Sequence, residues 1–235
     1  MVELAYVNWS SAIDFPGRLA AVVWTVGCNL RCPFCYNGEL VLPELARGLP
    51  RLDPREVLAG LATRKGFLDG LVITGGEPTL QPGLLEFARE VRSLGLAVKL
   101  DTNGTRPQVL AELLDRGVVD YVALDVKAPF PRYPEFTGVP EDVTPAVRES
   151  IGLLRESGVE YELRTTCAPG LSPHDLHRIA QALQGTARFV LQPFFVPQEK
   201  ELVDPDWARR PRLTERQLRS LAQELSSFVP CVVRA

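Results

Sequence analysis

The feature that most limits the fold of this chain is an alternation that repeats along it. Each unit is a short apolar run, a polar or glycine-rich turn, and a stretch with helical periodicity. The runs are nearly continuous in apolar character, which is typical of parallel strands that are buried on both faces. Six strands are predicted, at 19–26, 70–74, 96–100, 121–124, 161–165 and 188–191. Six helices are predicted, at 53–65, 82–95, 106–117, 144–158, 172–183 and 214–228.

Strands that alternate with helices of this length predict right-handed βαβ units and an α/β protein. Six strands favour a partial, TIM-like (β/α)6 barrel over a closed barrel of eight, and a doubly wound sheet is the alternative. We expect a single domain over residues 1–235, with a barrel core at about 19–192 and a C-terminal helix and strand at 214–235. Two proline-rich stretches, 128–145 and 192–213, are expected to be loops outside this scaffold.

The composition and net charge of the chain limit which kinds of partner the protein is expected to bind. Hydrophobic residues make up 46% of the chain and charged residues 23%, which fits a globular protein with a substantial core. The net charge of −3 gives no general attraction to nucleic acid or to an anionic membrane, so we expect neither as a partner. The N-terminal residues lack a signal-peptide pattern, and no apolar run approaches the roughly 20 residues that span a bilayer. We therefore expect a cytoplasmic protein.

Unusual polar motifs follow the predicted strands at their carboxyl ends. In order along the chain they are GCNLRCPFC, GGEPT, DTNG, DVK, RTT and QP. In parallel α/β folds the active site lies at that edge of the sheet. The sequence therefore predicts an active site that these motifs build together.

The first motif holds three of the five cysteines, Cys28, Cys32 and Cys35, with the spacing C-x3-C-x2-C. In a reducing compartment such a cluster indicates metal or redox chemistry rather than disulfides. Structural zinc needs four ligands. An iron–sulfur cubane takes one cysteine for each iron, so three cysteines leave one iron open to a ligand from outside the protein.

The remaining cysteines and the only two histidines are not spaced as a fourth zinc ligand. They are Cys167, Cys231, His174 and His177. We interpret the two cysteines as ordinary buried residues, which is the common fate of a lone cysteine. The two histidines lie three positions apart on a predicted helix and are interpreted as surface or capping residues.

The stretch GCNLRCPFCYN, at 27–37, resembles the radical S-adenosylmethionine (SAM) superfamily. The resemblance implies one 4Fe–4S cluster on the three cysteines, with SAM chelating the free iron through its amino and carboxylate groups. GGEPT, at 75–79, resembles the second motif of the superfamily, whose glycine edge contacts the methionyl amino group. The SAM-binding candidates from these two motifs are Tyr36, Asn37, Gly75, Gly76 and Glu77.

Within the superfamily, four further segments resemble the glycyl-radical-enzyme activases. They are DFPGR at 14–18, DTNG at 101–104, LDVKAP at 124–129 and RTTCAPG at 164–170. The closest fit is to the longer type of anaerobic ribonucleoside-triphosphate reductase activating protein. The resemblance implies that Asp101, Thr102 and Asp125 hold a monovalent cation beside the SAM carboxylate, and that Lys127 contacts SAM.

The resemblance gives three more candidates. Arg164 contacts the ligand or orients a neighbour, and Asp14 guides the glycine loop of the partner enzyme. Gln192 lies on the last barrel strand, where some activases have a histidine near SAM. No cysteine lies between Tyr36 and the second predicted strand, so the additional clusters of some activases are not expected.

The implied activity is that of an oxidoreductase. A flavodoxin or ferredoxin supplies one electron, SAM is cleaved to methionine and a 5′-deoxyadenosyl radical, and a glycyl radical is installed on anaerobic ribonucleotide reductase. One alternative is a radical SAM enzyme that modifies a small molecule or nucleotide. The other is a metal-binding module without catalysis.

Overall fold

Within residues 1–234, which the computed structural model describes, eight strands form one sheet in the order in which they occur along the chain. The strands are β1 (Leu4–Ser11), β2 (Ala20–Thr25), β3 (Gly70–Gly75), β4 (Ala97–Thr102), β5 (Tyr121–Asp125), β6 (Glu160–Cys167), β7 (Phe189–Pro193) and β8 (Cys231–Val233). β1 pairs with β2 in the antiparallel direction, and all the other pairs are parallel.

The six predicted strands correspond to β2–β7, which confirms the α/β fold and the partial six-stranded barrel. A doubly wound sheet reverses its strand order at a switch point, whereas this order runs from β1 to β8 without reversal. Strand β1 was not predicted. Its alternating exposed and buried positions are those of an edge strand, with no continuous apolar run.

In the described part of the chain, nine α-helices connect and flank the strands. They are α1 (Gly38–Val41), α2 (Pro43–Ala46), α3 (Pro54–Ala62), α4 (Leu84–Ser93), α5 (Pro107–Asp115), α6 (Tyr133–Thr137), α7 (Thr144–Glu156), α8 (Pro173–Ala182) and α9 (Glu215–Leu225). The six predicted helices are α3, α4, α5, α7, α8 and α9. In α3 the Asp53 side chain accepts a hydrogen bond from the Arg55 N–H, as expected of an N-terminal cap.

The prediction that 128–145 is only a loop was wrong, because this stretch contains α6. Phe136 is fully buried, and Gly138 ends the helix with a φ of +65°. A β-carbon at Gly138 would lie 2.1 Å from the Arg31 carbonyl oxygen, so α6 packs directly against the cysteine loop. The stretch 192–213 likewise contains a 3-10 helix, Pro205–Arg209, whose Trp207 is buried.

The two faces of the sheet differ in chemistry. The outer face is apolar and packs against the helices, as Val98, Leu100 and Val122 illustrate. The inner face is apolar near the amino ends of the strands, where Phe15 packs with Val22 and Val72. Toward the carboxyl ends it becomes charged, which is uncommon in barrels filled by branched apolar side chains. The charged residues there are Lys99, Asp101, Asp125, Glu162 and Arg164.

No helix within residues 1–234 is both long and apolar enough to cross a bilayer.

Candidate active site

A cavity of about 370 Å³ opens at the carboxyl ends of the strands. Its size falls within the range of small-molecule pockets. All fifteen residues proposed from the sequence line it: Asp14, Cys28, Cys32, Cys35, Tyr36, Asn37, Gly75, Gly76, Glu77, Asp101, Thr102, Asp125, Lys127, Arg164 and Gln192. The motifs that follow β2–β7 therefore meet in one place, although they come from the whole length of the chain.

The cysteine loop between β2 and α1 is fixed by backbone hydrogen bonds from three directions. The Gly27 N–H donates to the Leu40 carbonyl over 2.8 Å, and the Arg31 N–H donates to Thr137 of α6 over 2.8 Å. The Val203 N–H donates to the Cys35 carbonyl, also over 2.8 Å. Backbone hydrogen bonds from α1, α6 and the segment after β7 therefore hold the loop.

The three thiols are free of disulfides and face the same cavity. Burial raises the pKa of the Cys28 thiol to about 11 and that of Cys32 to about 12. The nearby Lys127 ammonium acts in the opposite direction on both. Since the thiolate is the form that binds metal, loading this site releases protons.

This donor set fits an iron–sulfur cluster. Within residues 1–234, no group of three or more His, Cys, Asp or Glu side chains converges closely enough to enclose a single ion. A cluster does not need that convergence, because each thiolate binds its own iron. Three thiols on the wall of one cavity supply the soft ligands that such a cluster prefers.

The GGE motif at the end of β3 fits tightly against the cysteine loop. The Glu77 N–H donates to the Gly27 carbonyl over 2.8 Å. A β-carbon at Gly76 would lie 2.0 Å from the Gly27 oxygen, and one at Gly75 would lie 2.3 Å from the Thr25 nitrogen. Gly75 also has a φ of +121°, which L side chains rarely adopt. Glycine is therefore required at both positions for the two loops to meet.

The Glu77 carboxylate joins the GGE motif to the DTNG motif. It is 1% exposed and accepts hydrogen bonds from the Thr102 hydroxyl over 2.7 Å and from the Asn103 N–H over 2.7 Å. It also accepts from the Thr79 N–H over 3.0 Å. Burial raises the pKa of Glu77, while these hydrogen bonds oppose the rise. The side chain is thus satisfied by the protein, and Glu77 contributes to the cavity mainly by holding its neighbours in place.

Two carboxylates and three cations form a charged group on the inner face. Arg164 bridges the acids: its Nη1 lies 3.1 Å from Asp101 and its Nε lies 2.8 Å from Asp125. Lys127 lies 3.0 Å from the second oxygen of Asp125, and Lys99 contacts the second oxygen of Asp101.

The cations of this group set the titration of its acids. Burial alone would raise the pKa of Asp125, but Arg164 and Lys127 outweigh it and hold the value at about 2. The pKa of Asp101 is likewise lowered, because Arg164 and Lys99 outweigh its burial. Both acids are therefore ionised near neutral pH.

The residues do not fit the monovalent cation that the resemblance places beside Asp101, Thr102 and Asp125. Every carboxylate oxygen of the two acids already has a cationic partner. The Thr102 hydroxyl donates its hydrogen to Glu77. Three side-chain cations balance two acids with one positive charge to spare, so no further cation is needed for neutrality.

Several cavity residues were missed by the sequence reasoning. Asn103 lies inside the DTNG motif, and its side-chain amide donates to Asn29 in the cysteine loop. Phe194 and Phe195 follow the QP motif at the cavity wall, and Phe195 is 67% exposed. These three residues could have been predicted from the sequence, because they lie in or directly after the DTNG and QP motifs. Lys99, which contacts Asp101 but does not itself line the cavity, gave no such signal, because it is one residue within an otherwise apolar strand.

The comparisons with known proteins agree with this geometry. A model of the radical SAM superfamily matches residues 22–183. A Methanocaldococcus jannaschii protein, described as a candidate glycyl-radical enzyme activating enzyme, is 35% identical over 95% of this chain and 91% of its own length. A pyruvate formate-lyase-activating enzyme of Listeria monocytogenes is 33% identical over 52% of this chain and 51% of its own.

Solved structures show the same fold. Streptococcus suis SuiB bound to S-adenosylmethionine superposes with a TM-score of 0.66 at 14% identity, covering 89% of this chain and 48% of that one. QueE from Escherichia coli superposes with a TM-score of 0.56 at 15% identity, covering 100% and 94%. The chain thus spans about half the length of SuiB and of the Listeria enzyme, and most of the length of the other two.

Proposed function

Because the chain belongs to the radical SAM superfamily, we propose that it is a glycyl-radical-enzyme activating enzyme whose partner is anaerobic ribonucleoside-triphosphate reductase. The observation that carries this proposal is the meeting of the three thiols, the glycine edge and four charged side chains in one cavity, namely those of Asp101, Asp125, Lys127 and Arg164. A relative described as an activating enzyme matches nearly the whole chain, which supports the class of enzyme. The choice of reductase as partner rests on the resemblance of the segments at 14–37, 100–104, 123–130 and 163–169.

A 4Fe–4S cluster bound to Cys28, Cys32 and Cys35 would use one electron from flavodoxin or ferredoxin to cleave SAM into methionine and a 5′-deoxyadenosyl radical, which takes a hydrogen from the partner's glycine. The protein positions the reactants and limits the access of water. The Gly75–Gly76 backbone lines the cavity and would contact the amino group of the SAM methionyl moiety. Lys127 and Arg164 supply the positive charge for its carboxylate.

The mouth of the cavity is suited to a peptide. Asp14 lies there between β1 and β2, and its carboxylate accepts a hydrogen bond from the Ser11 hydroxyl over 2.5 Å. The exposed side chains of Tyr36 and Phe195 are nearby on the same cavity wall. A carboxylate and two aromatic rings offer a backbone N–H acceptor and apolar contacts to an incoming glycine loop. Five free cysteines suit a reducing compartment, so the proposal places the protein in the cytoplasm.

Anaerobic reconstitution tests the chemistry. We expect iron and sulfide to load in equal amounts and dithionite to release 5′-deoxyadenosine from SAM. The variant Cys35→Ser is expected to lose this release, whereas Cys167→Ala, which removes a buried thiol outside the cavity, is expected to keep it. Zinc in place of iron, or intact SAM with a loaded cluster, would contradict the proposal and favour a non-catalytic metal-binding module.

A second experiment tests the partner. The loaded protein is mixed with anaerobic ribonucleotide reductase, SAM and reductant, and the glycyl radical is followed by electron paramagnetic resonance. A radical signal that Asp14→Asn weakens is expected. SAM cleavage without a glycyl radical on the reductase would instead support action on a small molecule, a nucleotide or another partner.

A further inference from the structure

Lys99 is a charged residue in the interior of the barrel that the proposed function does not use. It lies on β4 two positions before Asp101, so both side chains point to the inner face of the sheet. Lys99 is 1% exposed and is among the largest fully buried side chains of the protein. Lysine is almost never fully buried unless it is paired, so its place here calls for an explanation.

The polar groups near Lys99, other than Asp101, already have hydrogen-bond partners and do not need the Lys99 ammonium. Glu162, a second acid whose charge acts on Lys99, accepts hydrogen bonds from Arg234 over 2.6 and 2.5 Å and from the Tyr121 hydroxyl over 2.9 Å. The Tyr121 ring centroid lies 6.0 Å from the Lys99 ammonium. The direct ionic contact of Lys99 within residues 1–234 is with Asp101.

The number of charges in the group shows what the contact between Lys99 and Asp101 adds. Asp101 and Asp125 carry two negative charges, and Arg164 and Lys127 together neutralise them. Without Lys99 the group would be neutral, whereas with it the group has one excess positive charge close to the cavity. A ligand carboxylate bound there would then be balanced, which satisfies the requirement that buried charges be paired.

We propose that the Lys99 ammonium is a built-in substitute for a monovalent metal cation at Asp101. It acts through Asp101 and Arg164 to orient the positive charge that receives the SAM carboxylate, and it is therefore a positioning residue. This inference rests on the proposed function, because it takes SAM to be the ligand. Its consequence is that SAM binding by this protein does not require potassium or sodium.

The test measures SAM binding by the cluster-loaded protein, without reductant or partner, by equilibrium dialysis. Choline is the only added monovalent cation in one series, and potassium or sodium chloride replaces it at equal ionic strength in the other. The wild-type Kd is expected to change by less than about twofold between the two series. A wild-type protein that needs potassium or sodium for tight binding would overturn the proposal without any variant.

The variant Lys99→Met removes the charge and keeps an apolar stem of similar length. In choline its Kd is expected to rise about tenfold or more, and potassium or sodium is expected to recover much of that loss. The control Lys65→Met removes an exposed lysine and is expected to match the wild type in both series. A Lys99→Met protein that binds like the wild type in choline, or whose loss no cation recovers, would overturn the proposal.

A second readout uses the cluster-free protein and does not involve SAM. The melting temperature of Lys99→Met is expected to increase when potassium replaces choline, whereas that of the wild type stays constant. Failure of this inference can be told apart from failure of the proposed function. A cation-dependent wild-type protein would still form a glycyl radical in potassium, and a protein without a glycyl partner would still bind SAM in choline.

Discussion

At the residue scale, the edge of the cavity depends on the close approach of two backbone segments. Gly76 of the GGE motif lies against Gly27 of the cysteine loop, and a β-carbon on Gly76 would be only 2.0 Å from the Gly27 oxygen. The neighbour is backbone that is itself hydrogen-bonded to Leu40, so it has little freedom to move away. The two loops can therefore approach this closely only because Gly76 has a hydrogen atom where other residues have a β-carbon.

The variant Gly76→Ala should consequently lose about 1–3 kcal/mol of unfolding free energy, as overpacked sites do, and bind SAM more weakly. The matched control is Gly152→Ala in α7, where a β-carbon meets nothing within 4 Å. That change should stabilise the protein by about 0.5–1 kcal/mol through helix propensity. Urea unfolding of both variants measures the difference, and equal effects would show that the two loops are not in close contact.

A second residue-scale prediction concerns Glu77, whose carboxylate accepts hydrogen bonds from donors on Thr79, Thr102 and Asn103. Glu77→Gln introduces an amide that donates and accepts, so one buried donor loses its partner. We expect a loss of about 1–3 kcal/mol. Glu86→Gln, on the exposed face of α4, should change the free energy of unfolding by less than about 0.5 kcal/mol. Indistinguishable urea midpoints for the two variants would contradict this role of Glu77.

At the element scale, the helices on the C-terminal half of the sheet are held at their starts by reciprocal capping. In α8 the Ser172 hydroxyl accepts from the Asp175 N–H, while the Asp175 carboxylate accepts from the Ser172 N–H over 2.9 Å. Thr214 and Gln217 do the same for α9. Each box satisfies two N–H groups that the helix itself leaves unpaired.

Removing the cap of one helix should therefore lower the free energy of unfolding by a predictable amount. Ser172→Ala is expected to lower the free energy of unfolding by about 1 kcal/mol, and the melting temperature by about 2–4 °C. The control is Ser157→Ala at the C-terminal end of α7. Its hydroxyl donates to the Leu154 carbonyl and caps no helix N-terminus, so its loss should have a smaller effect. A Ser172→Ala melting curve that overlays the wild type would argue against the capping box.

The capping box of α8 also makes the free energy of unfolding depend on pH. Burial would raise the pKa of Asp175, but the Ser172 hydrogen bonds and the Arg132 guanidinium outweigh it and hold the pKa below its usual value. A carboxyl group with a lowered pKa stabilises the fold above its unfolded pKa of about 3.9, and this contribution is lost as the pH falls through the folded pKa. The difference in unfolding free energy between wild type and Asp175→Asn should thus shrink from pH 6 to pH 3. Urea unfolding of the cluster-free protein measures it, and a constant difference would count against the linkage.

At the scale of the whole molecule, the cysteine loop is supported by chain segments far from it in sequence. Trp207 is 4% exposed, and its ring centroid lies 5.0 Å from that of Phe136 and 5.9 Å from that of Phe34 in the cysteine loop. The neighbouring Asp204 N–H donates to the Pro33 carbonyl over 2.9 Å. The proline-rich segment after β7 and helix α6 therefore clamp the loop from outside the barrel.

Trp207→Ala should remove this clamp. A loss of about 3–5 kcal/mol in unfolding free energy is expected for a buried tryptophan, together with faster transfer of iron from the reconstituted protein to a chelator. Phe67→Ala, which truncates an aromatic ring that is 63% exposed, serves as the control for both measurements. If the two variants lost iron at the same rate, the segment after β7 would have no part in holding the cluster loop.

Much of the barrel and the cavity could be predicted from sequence because the signals are local. A buried parallel strand is a short apolar run, and motif residues follow each run at the same sheet edge. Strand β1 was missed because an edge strand with one exposed face carries no such run, and α6 because it is short and contains Pro134. Lys99 was missed because a lysine in a strand is usually exposed, and only the curvature of the sheet into a partial barrel buries it.

The sequence by itself determined the order of the six barrel strands and their helices, the three thiols and fifteen of the residues that line the cavity, because the motifs follow the strands at regular places along the chain. Only the tertiary structure decided which charges pair. Lys99, Asp101, Asp125 and Arg164 come from β4, β5 and β6, and their contacts arise when those strands align in register. Electrostatic contacts depend on distances of a few ångströms across the sheet, and such distances are set by the packing of the whole barrel.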